Sequence, residues 1–257
     1  MEDKQCGYST YPQGRKLMIL EAQSVTKEFI RKRKDSNILE AVKETSLTIE
    51  EGSFTVLAGY SGSGKSTLLN MLAGLLVPTS GKVLLDGQDI YALEDKELSL
   101  LRNKHYGIIP QGQSALAALT VRENILMPVT LYGRKVSEEE RKSAKEYAKE
   151  LMERTGIADL GKEMPSELSG GEIRRMAICR ALINRPEIVF ADEPTGDLDR
   201  ENTEIVLGLL KEISREGAAV FLVSHDRDVF PYADSVYMME KGVMEACGLP
   251  GPYGETV

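Results

Sequence analysis

The sequence predicts an α/β fold: a mostly parallel β-sheet with flanking helices, interrupted by an inserted and mostly helical subdomain. Three observations carry that expectation. Short apolar runs alternate with helical patterns along most of the 257 residues, the order that strand–helix–strand crossovers produce. The runs at 188–191 and 220–223 are continuously apolar rather than alternating, as central parallel strands covered on both faces must be. The stretch from about Asp89 to Glu167 changes character and is dense in Glu, Lys and Arg between Ser137 and Arg154.

Taken in order, residues 1–16 mix Glu2, Asp3 and Lys4 with the turn formers Gly7, Pro12 and Gly14 and read as a flexible extension. A strand is expected at 54–58. After it comes a helix in which Leu68, Leu69, Leu72, Leu75 and Leu76 recur at helical spacing. A further strand is expected at 83–85. In the helical insert, Ser137 followed three residues later by Glu140 has the form of a capping box, and Tyr147, Leu151 and Thr155 give a narrow apolar face. A strongly helical segment runs from Ile173 to Ile183. The 188–191 strand ends in two adjacent carboxylates, Asp192 and Glu193, before a turn begun by Pro194 and Gly196. Residues 248–257 read as a tail, and no internal repeat is visible.

Composition excludes several classes. With 42% hydrophobic and 28% charged residues the chain is an ordinary globular protein. A net charge of −8 argues against nucleic acid as a partner, since such proteins carry a basic footprint. Cys6, Cys179 and Cys247 are scattered and only two histidines, His105 and His225, are present. Neither a zinc site nor a disulfide framework is expected, and a reducing cytosol is the natural compartment. The N-terminus has no apolar h-region, and no run approaches the roughly twenty apolar residues of a membrane span. Any membrane work would pass through a partner.

The chemistry concentrates in three places. Gly59-Tyr60-Ser61-Gly62-Ser63-Gly64-Lys65-Ser66 fits G-x-x-x-x-G-K-[ST] at every fixed position, between a strand and a helix. Glycines let the backbone turn tightly and bring N–H groups against phosphate oxygens. The helix start adds partial positive charge, Lys65 reaches the β- and γ-phosphates, and the Ser66 hydroxyl, followed by Thr67, can ligate Mg²⁺. Asp192 and Glu193 point in different directions because strand side chains alternate, so one can approach the metal while the other faces the attacking water. Leu168-Ser169-Gly170-Gly171-Glu172 opens a helix with a hydroxyl and unobstructed amides, a second anion-binding nose that one triphosphate hardly needs. A plain helix cap is the alternative reading.

With these residues in view, the chain resembles the ATP-binding subunits of ABC transporters from about Leu17 to Glu245. The Walker A motif is the loop from Gly59 to Ser66, the signature runs from Leu168 to Glu172, and Walker B ends at Asp192 with Glu193 beside it. Gly196-Asp197-Leu198-Asp199 matches the D-loop, His225 the switch histidine and Gln111 the Q-loop glutamine. The strings from Ala191 to Asp199 and from Thr120 to Ile125 look most like the group handling lipoproteins, macrolides and antimicrobial peptides.

The resemblance implies a P-loop NTPase core with an antiparallel β subdomain, divided as 17–88 and 168–247 for the core and about 89–167 for the helical subdomain. It implies ATP and Mg²⁺ as cofactors, with Ser66, Gln111 and Asp192 on the metal. It implies Glu193 as general base, with His225 holding the γ-phosphate and water in register. Ser169, Gly170 and Gly171 would contact the nucleotide of a second nucleotide-binding subunit, homo- or heterodimeric, and Asp199 would carry a signal across that interface. Membrane-spanning permease subunits would complete the assembly, placing this chain peripherally on the cytoplasmic face of the cell membrane. A soluble ATPase of the same family, driving assembly or repair, is the alternative. Phe29 stands where the family often has an adenine-stacking tyrosine, with ordinary packing as the other reading. Arg31-Lys32-Arg33-Lys34 is expected to be a solvated hairpin tip. Tyr60, Glu172 and Gly112 depart from common family residues without removing a catalytic group.

Overall fold

The computed structural model describes residues 19–30, 38–112, 114–131, 136–196 and 198–247. The expected N-terminal extension, the basic run at 31–34, Asp197 of the D-loop and the tail at 248–257 lie outside the described residues.

The elements follow in chain order: β1 (Ile19–Ile30), β2 (Ile38–Glu50), β3 (Phe54–Ala58), α1 (Lys65–Leu72), β4 (Ser80–Leu85), β5 (Gln88–Asp89), α2 (Asp95–His105) and β6 (Tyr106–Ile109). Then come α3 (Val121–Thr130), α4 (Glu138–Arg154), α5 (Gly170–Leu182), β7 (Ile188–Asp192), α6 (Arg200–Arg215), β8 (Ala219–Ser224), β9 (Ser235–Glu240) and β10 (Val243–Cys247). Two sheets result. The larger has the order β10-β9-β3-β8-β7-β6 and is parallel except for the β9–β10 hairpin. The smaller, β2-β1-β4-β5, is antiparallel throughout.

The continuously apolar strands behave as their sequence requires. In β7, Val189 and Ala191 join one buried cluster while Ile188 and Phe190 join the other. In β8, Val220 and Leu222 divide from Ala219, Phe221 and Val223 in the same way. The first cluster is shared with α3, α4, α5 and α6, and the second with α1 and the antiparallel sheet. A central strand that must fill two cores has no room for a polar face. Phe190 anchors the second core, with Tyr106 edge-on at 5.1 Å and Phe221 at 6.4 Å between centroids.

Three expectations from the sequence change. The helix after the phosphate loop stops at Leu72. Gly74 at φ 70° ends it with bonds from Gly74 N–H to the Met71 carbonyl and from Leu75 N–H to the Asn70 carbonyl, a Schellman arrangement. Leu75 therefore lies beyond the helix and is exposed. The strand at 83–85 starts earlier, at Ser80, and pairs antiparallel with β1 in the smaller sheet. Within the 89–167 stretch, residues 106–109 form the edge strand of the large sheet beside β7. Buried Tyr106 and Ile109 supply the apolar faces that this edge position needs.

The helical stretch is built by local capping. Ser137 caps α4, accepting from Glu140 N–H at 3.1 Å while the Glu140 carboxylate accepts from Ser137 N–H at 2.9 Å. Thr120 and Glu123 do the same for α3. Buried Thr155 ends α4 by donating to the Leu151 carbonyl at 2.7 Å. Among the described residues, no helix is long and apolar enough to cross a membrane.

Candidate nucleotide site

The loop from Gly59 to Gly64 leaves the C-terminal end of β3, the edge where ligands gather in open α/β sheets. Two of its glycines are demanded by space as well as by φ. A Cβ on Gly59 would stand 2.3 Å from the Met239 carbonyl oxygen, and one on Gly64 would stand 2.2 Å from that of Ala41. Their φ values of 149° and 113° fix the course of the loop. Lys65 is buried, and its ammonium donates to the carbonyls of Gly59 at 2.7 Å and Tyr60 at 2.9 Å. Burial lowers its pKa, while the charges of Glu193 and Asp192 pull it back up. Ser63 Oγ is buried and finds no hydrogen-bond partner among the described residues.

Ser66 and Asp192 meet, although they are 126 residues apart: the Ser66 hydroxyl donates to Asp192 Oδ1 at 3.1 Å. Burial raises the Asp192 pKa, opposed by that hydrogen bond and reinforced by the nearby Glu193 charge. A hydroxyl and a carboxylate oxygen converging beside a phosphate loop make a hard-oxygen donor pair, and the residues fit Mg²⁺. Glu193 follows at φ 50°, a left-handed conformation unusual for a non-glycine residue. Its N–H is tied to the Val223 carbonyl at 2.9 Å. The turn aims its carboxylate at His225, whose Nδ1 lies 2.6 Å from Glu193 Oε2. Strain held by neighbours in this way is characteristic of working sites.

Two adjoining clefts share Ser61, Gln111 and Glu193 as walls. The larger, about 730 Å³, is lined by Ser61, Gly62, Ser63, Gly64, Lys65, Ser66 and Thr67, with Phe29 also in its wall. The other, about 390 Å³, contains Gly59, Tyr60 and His225. The Lys27 ammonium lies 5.4 Å from the Phe29 ring centroid, and Phe29 is exposed. The structure thus gathers Phe29, the phosphate loop, Gln111, Asp192, Glu193 and His225.

Ser169, Gly170 and Gly171 stand apart and line neither cleft. Ser169 is exposed at the start of α5 and closes a capping box with Glu172. The Glu172 carboxylate accepts from the Ser169 hydroxyl and from its N–H, both at 2.7 Å, and those bonds lower its pKa. Asp199 caps α6, taking the Asn202 N–H at 2.8 Å. Sequence reasoning missed Lys241 and Gly242, which also wall the larger cleft from the β9–β10 turn. Their Lys-Gly pair between two strand-like runs was the available signal. It also missed Arg174, which reaches from α5 to the Pro110 carbonyl at 2.9 Å.

A family model described as "ABC transporter" matches residues 42–196. The ABC transporter ATP-binding protein YtrE of Bacillus subtilis is 36% identical, over 88% of this chain and 97% of its own length. The lipoprotein-releasing system ATP-binding protein LolD of Shewanella frigidimarina is 37% identical, over 92% of this chain and 96% of its own. The dimeric post-hydrolysis structure of the ATP-binding cassette MJ0796 with ADP and Pi superposes with a TM-score of 0.79 at 34% identity, over 88% of this chain and 98% of that one. The chain belongs to the ABC transporter family and is one of its ATP-binding cassettes.

Proposed function

We propose that this chain binds MgATP in the cleft between Phe29 and Glu193, hydrolyses it in a head-to-tail pair of cassettes, and drives a separate membrane-spanning permease from the cytoplasmic face. The observation that carries the reading is the separation within one chain. The phosphate loop, Asp192, Glu193 and His225 share adjoining clefts, while Ser169, Gly170 and Gly171 line neither. The anion this helix start holds in the chain is the Glu172 carboxylate that caps Ser169, and the exposed start at Ser169 and Gly170 would offer its amides to a partner's γ-phosphate. The cassettes named above support the pairing, one being dimeric with ADP and Pi and the others bearing transporter names.

Backbone amides from Gly62 to Ser66 and the Lys65 ammonium would bind the β- and γ-phosphates. Phe29 would offer a ring face to adenine. Magnesium, held by Ser66 and Asp192 with Gln111, would supply charge neutralisation on the phosphate oxygens. Glu193 accepts a proton from water as the water oxygen bonds to the γ-phosphorus. The bond from that phosphorus to the bridging oxygen breaks, and ADP departs with the electron pair. His225, already 2.6 Å from Glu193, would steady the water and γ-phosphate. In the same reading, 17–88 and 168–247 form the catalytic core together with the edge strand at 106–109, and the helical part of the 89–167 stretch faces the permease. Similarity to a lipoprotein-releasing cassette supports an exporter-type or extractor-type permease.

Mixing two dead chains tests the pairing. Lys65→Ala loses the phosphate loop, and Ser169→Arg blocks the signature. An equal mixture forms hybrids with one intact composite site, so turnover returns to about a quarter of wild type while each variant alone stays silent. No recovery on mixing would refute the shared site.

A further inference from the structure

Gln111 walls both parts of the nucleotide cleft. Gln111 and Gly112 are exposed, and Gly112 sits at φ 82° with open space around its missing Cβ. What fixes the loop comes from α5, the helix that begins at the signature. Arg174, only 6% exposed, donates from Nη1 to the carbonyl of Pro110 at 2.9 Å, on one side of Gln111. Its Nη2 lies 3.7 Å from where a Cβ on Gly196 would be, against the turn that follows Glu193. Six residues along the same helix, Arg180 donates from Nη2 to Ser114 Oγ at 2.6 Å, on the other side of Gln111.

Arg180 also reaches Asn124 Oδ1 at 3.4 Å. Asn124 is fully buried and gathers the next stretch, accepting from Leu116 N–H at 2.8 Å and donating to the carbonyls of Leu116, Leu119 and Thr120. Bonds from a guanidinium to oxygen are charge-assisted, and both of these are part-buried, so they resist opening more than neutral surface bonds do.

We propose that Arg174 and Arg180 are positioning residues that rivet both flanks of the Gln111 loop to the signature helix, so that Gln111 and Ser169 move as one body. A displacement of the loop by a neighbouring subunit is then delivered to the helix start that faces the partner's nucleotide, and the reverse. Arg174 adds a bearing on the turn carrying Glu193. The inference rests on the ATPase reading for its consequence but not for its geometry, and the two are tested separately.

Amide hydrogen exchange on the full chain decides the geometry. Arg174→Met keeps the apolar stem and removes the donor. Ser114→Ala removes the other rivet's acceptor without touching α5. Each is expected to speed exchange in the 107–119 peptide about tenfold, while α5 and β7 keep wild-type rates. Unchanged exchange in that peptide, or an equal rise in α5 and β7, overturns the proposal.

Turnover decides the consequence. Arg174→Met and Gln111→Ala are each expected to lower kcat about tenfold with KM for ATP within about twofold, and the double variant to fall no further, because one change already frees the other. Arg174→Lys, which restores one donor, should recover part of the loss. Multiplicative losses in the double variant overturn the coupling. A wild-type chain that releases no phosphate from MgATP would instead sink the ATPase reading and leave the exchange result standing.

Discussion

Replacing Glu193 by Gln removes a proton acceptor while changing almost nothing else, and the structure lets both effects be sized. A positioned general base is worth about 10²–10⁴ in rate, or about 3–5 kcal/mol on the barrier at 1.36 kcal/mol per tenfold. The cost in folding is far smaller. The left-handed φ of 50° is borne equally by Glu and Gln, so its strain cancels. What is lost is the pair with His225, whose side chain is 65% exposed, and a pair that open to solvent contributes at most about 1 kcal/mol. For a domain of this size that is a shift in Tm of about 2–4 °C. Nucleotide binding should persist. Asp192 still supports the Lys65 charge, and the phosphates add more than the substitution removes. Phosphate release at saturating MgATP, beside a melting curve and a nucleotide titration, separates the terms. Turnover within about twofold of wild type would refute the base assignment. A large drop in Tm with proportionate loss of binding would show that Glu193 holds the turn rather than the chemistry.

Three further substitutions follow from the same geometry. Gly64→Ala would put a Cβ 2.2 Å from the Ala41 carbonyl at φ 113°, so the loop must move and nucleotide affinity should collapse. Gly62→Ala meets no atom within 4 Å and carries only the left-handed strain of about 1–2 kcal/mol, so it should bind measurably; equal losses in a fluorescent-nucleotide titration would contradict the steric account. Asp192 has its pKa raised chiefly by burial, so folding favours its protonated form, and that contribution is full at acid pH and lost as pH rises through the raised value. Asp192→Asn should therefore melt above wild type at neutral pH, with the gap closing as pH falls toward about 4, while losing magnesium-dependent turnover. A gap that widens on acidification would reverse the assignment.

The sequence alone determined what is written in short-range chemistry. The phosphate loop, the paired acids after an apolar run, the capping box at Ser137 and the helix cap at Ser169 depend on residues within a few positions of one another, and the structure places each as a local motif should. The two-sided burial of β7 and β8 was likewise legible, because a strand facing two cores leaves no polar alternation. Tertiary structure alone decided what depends on partners distant in the chain. The antiparallel pairing of β1, β2 and β4 and the edge position of β6 rest on registers that no local pattern fixes. The meeting of Ser66 with Asp192, the aim of Glu193 at His225 through a left-handed turn, and the reach of Arg174 and Arg180 to the Gln111 loop each join separate elements. Side-chain type and spacing set what a residue can do. Only the closing of the sheet, which brings residues a hundred positions apart within hydrogen-bond distance, sets what it does it to.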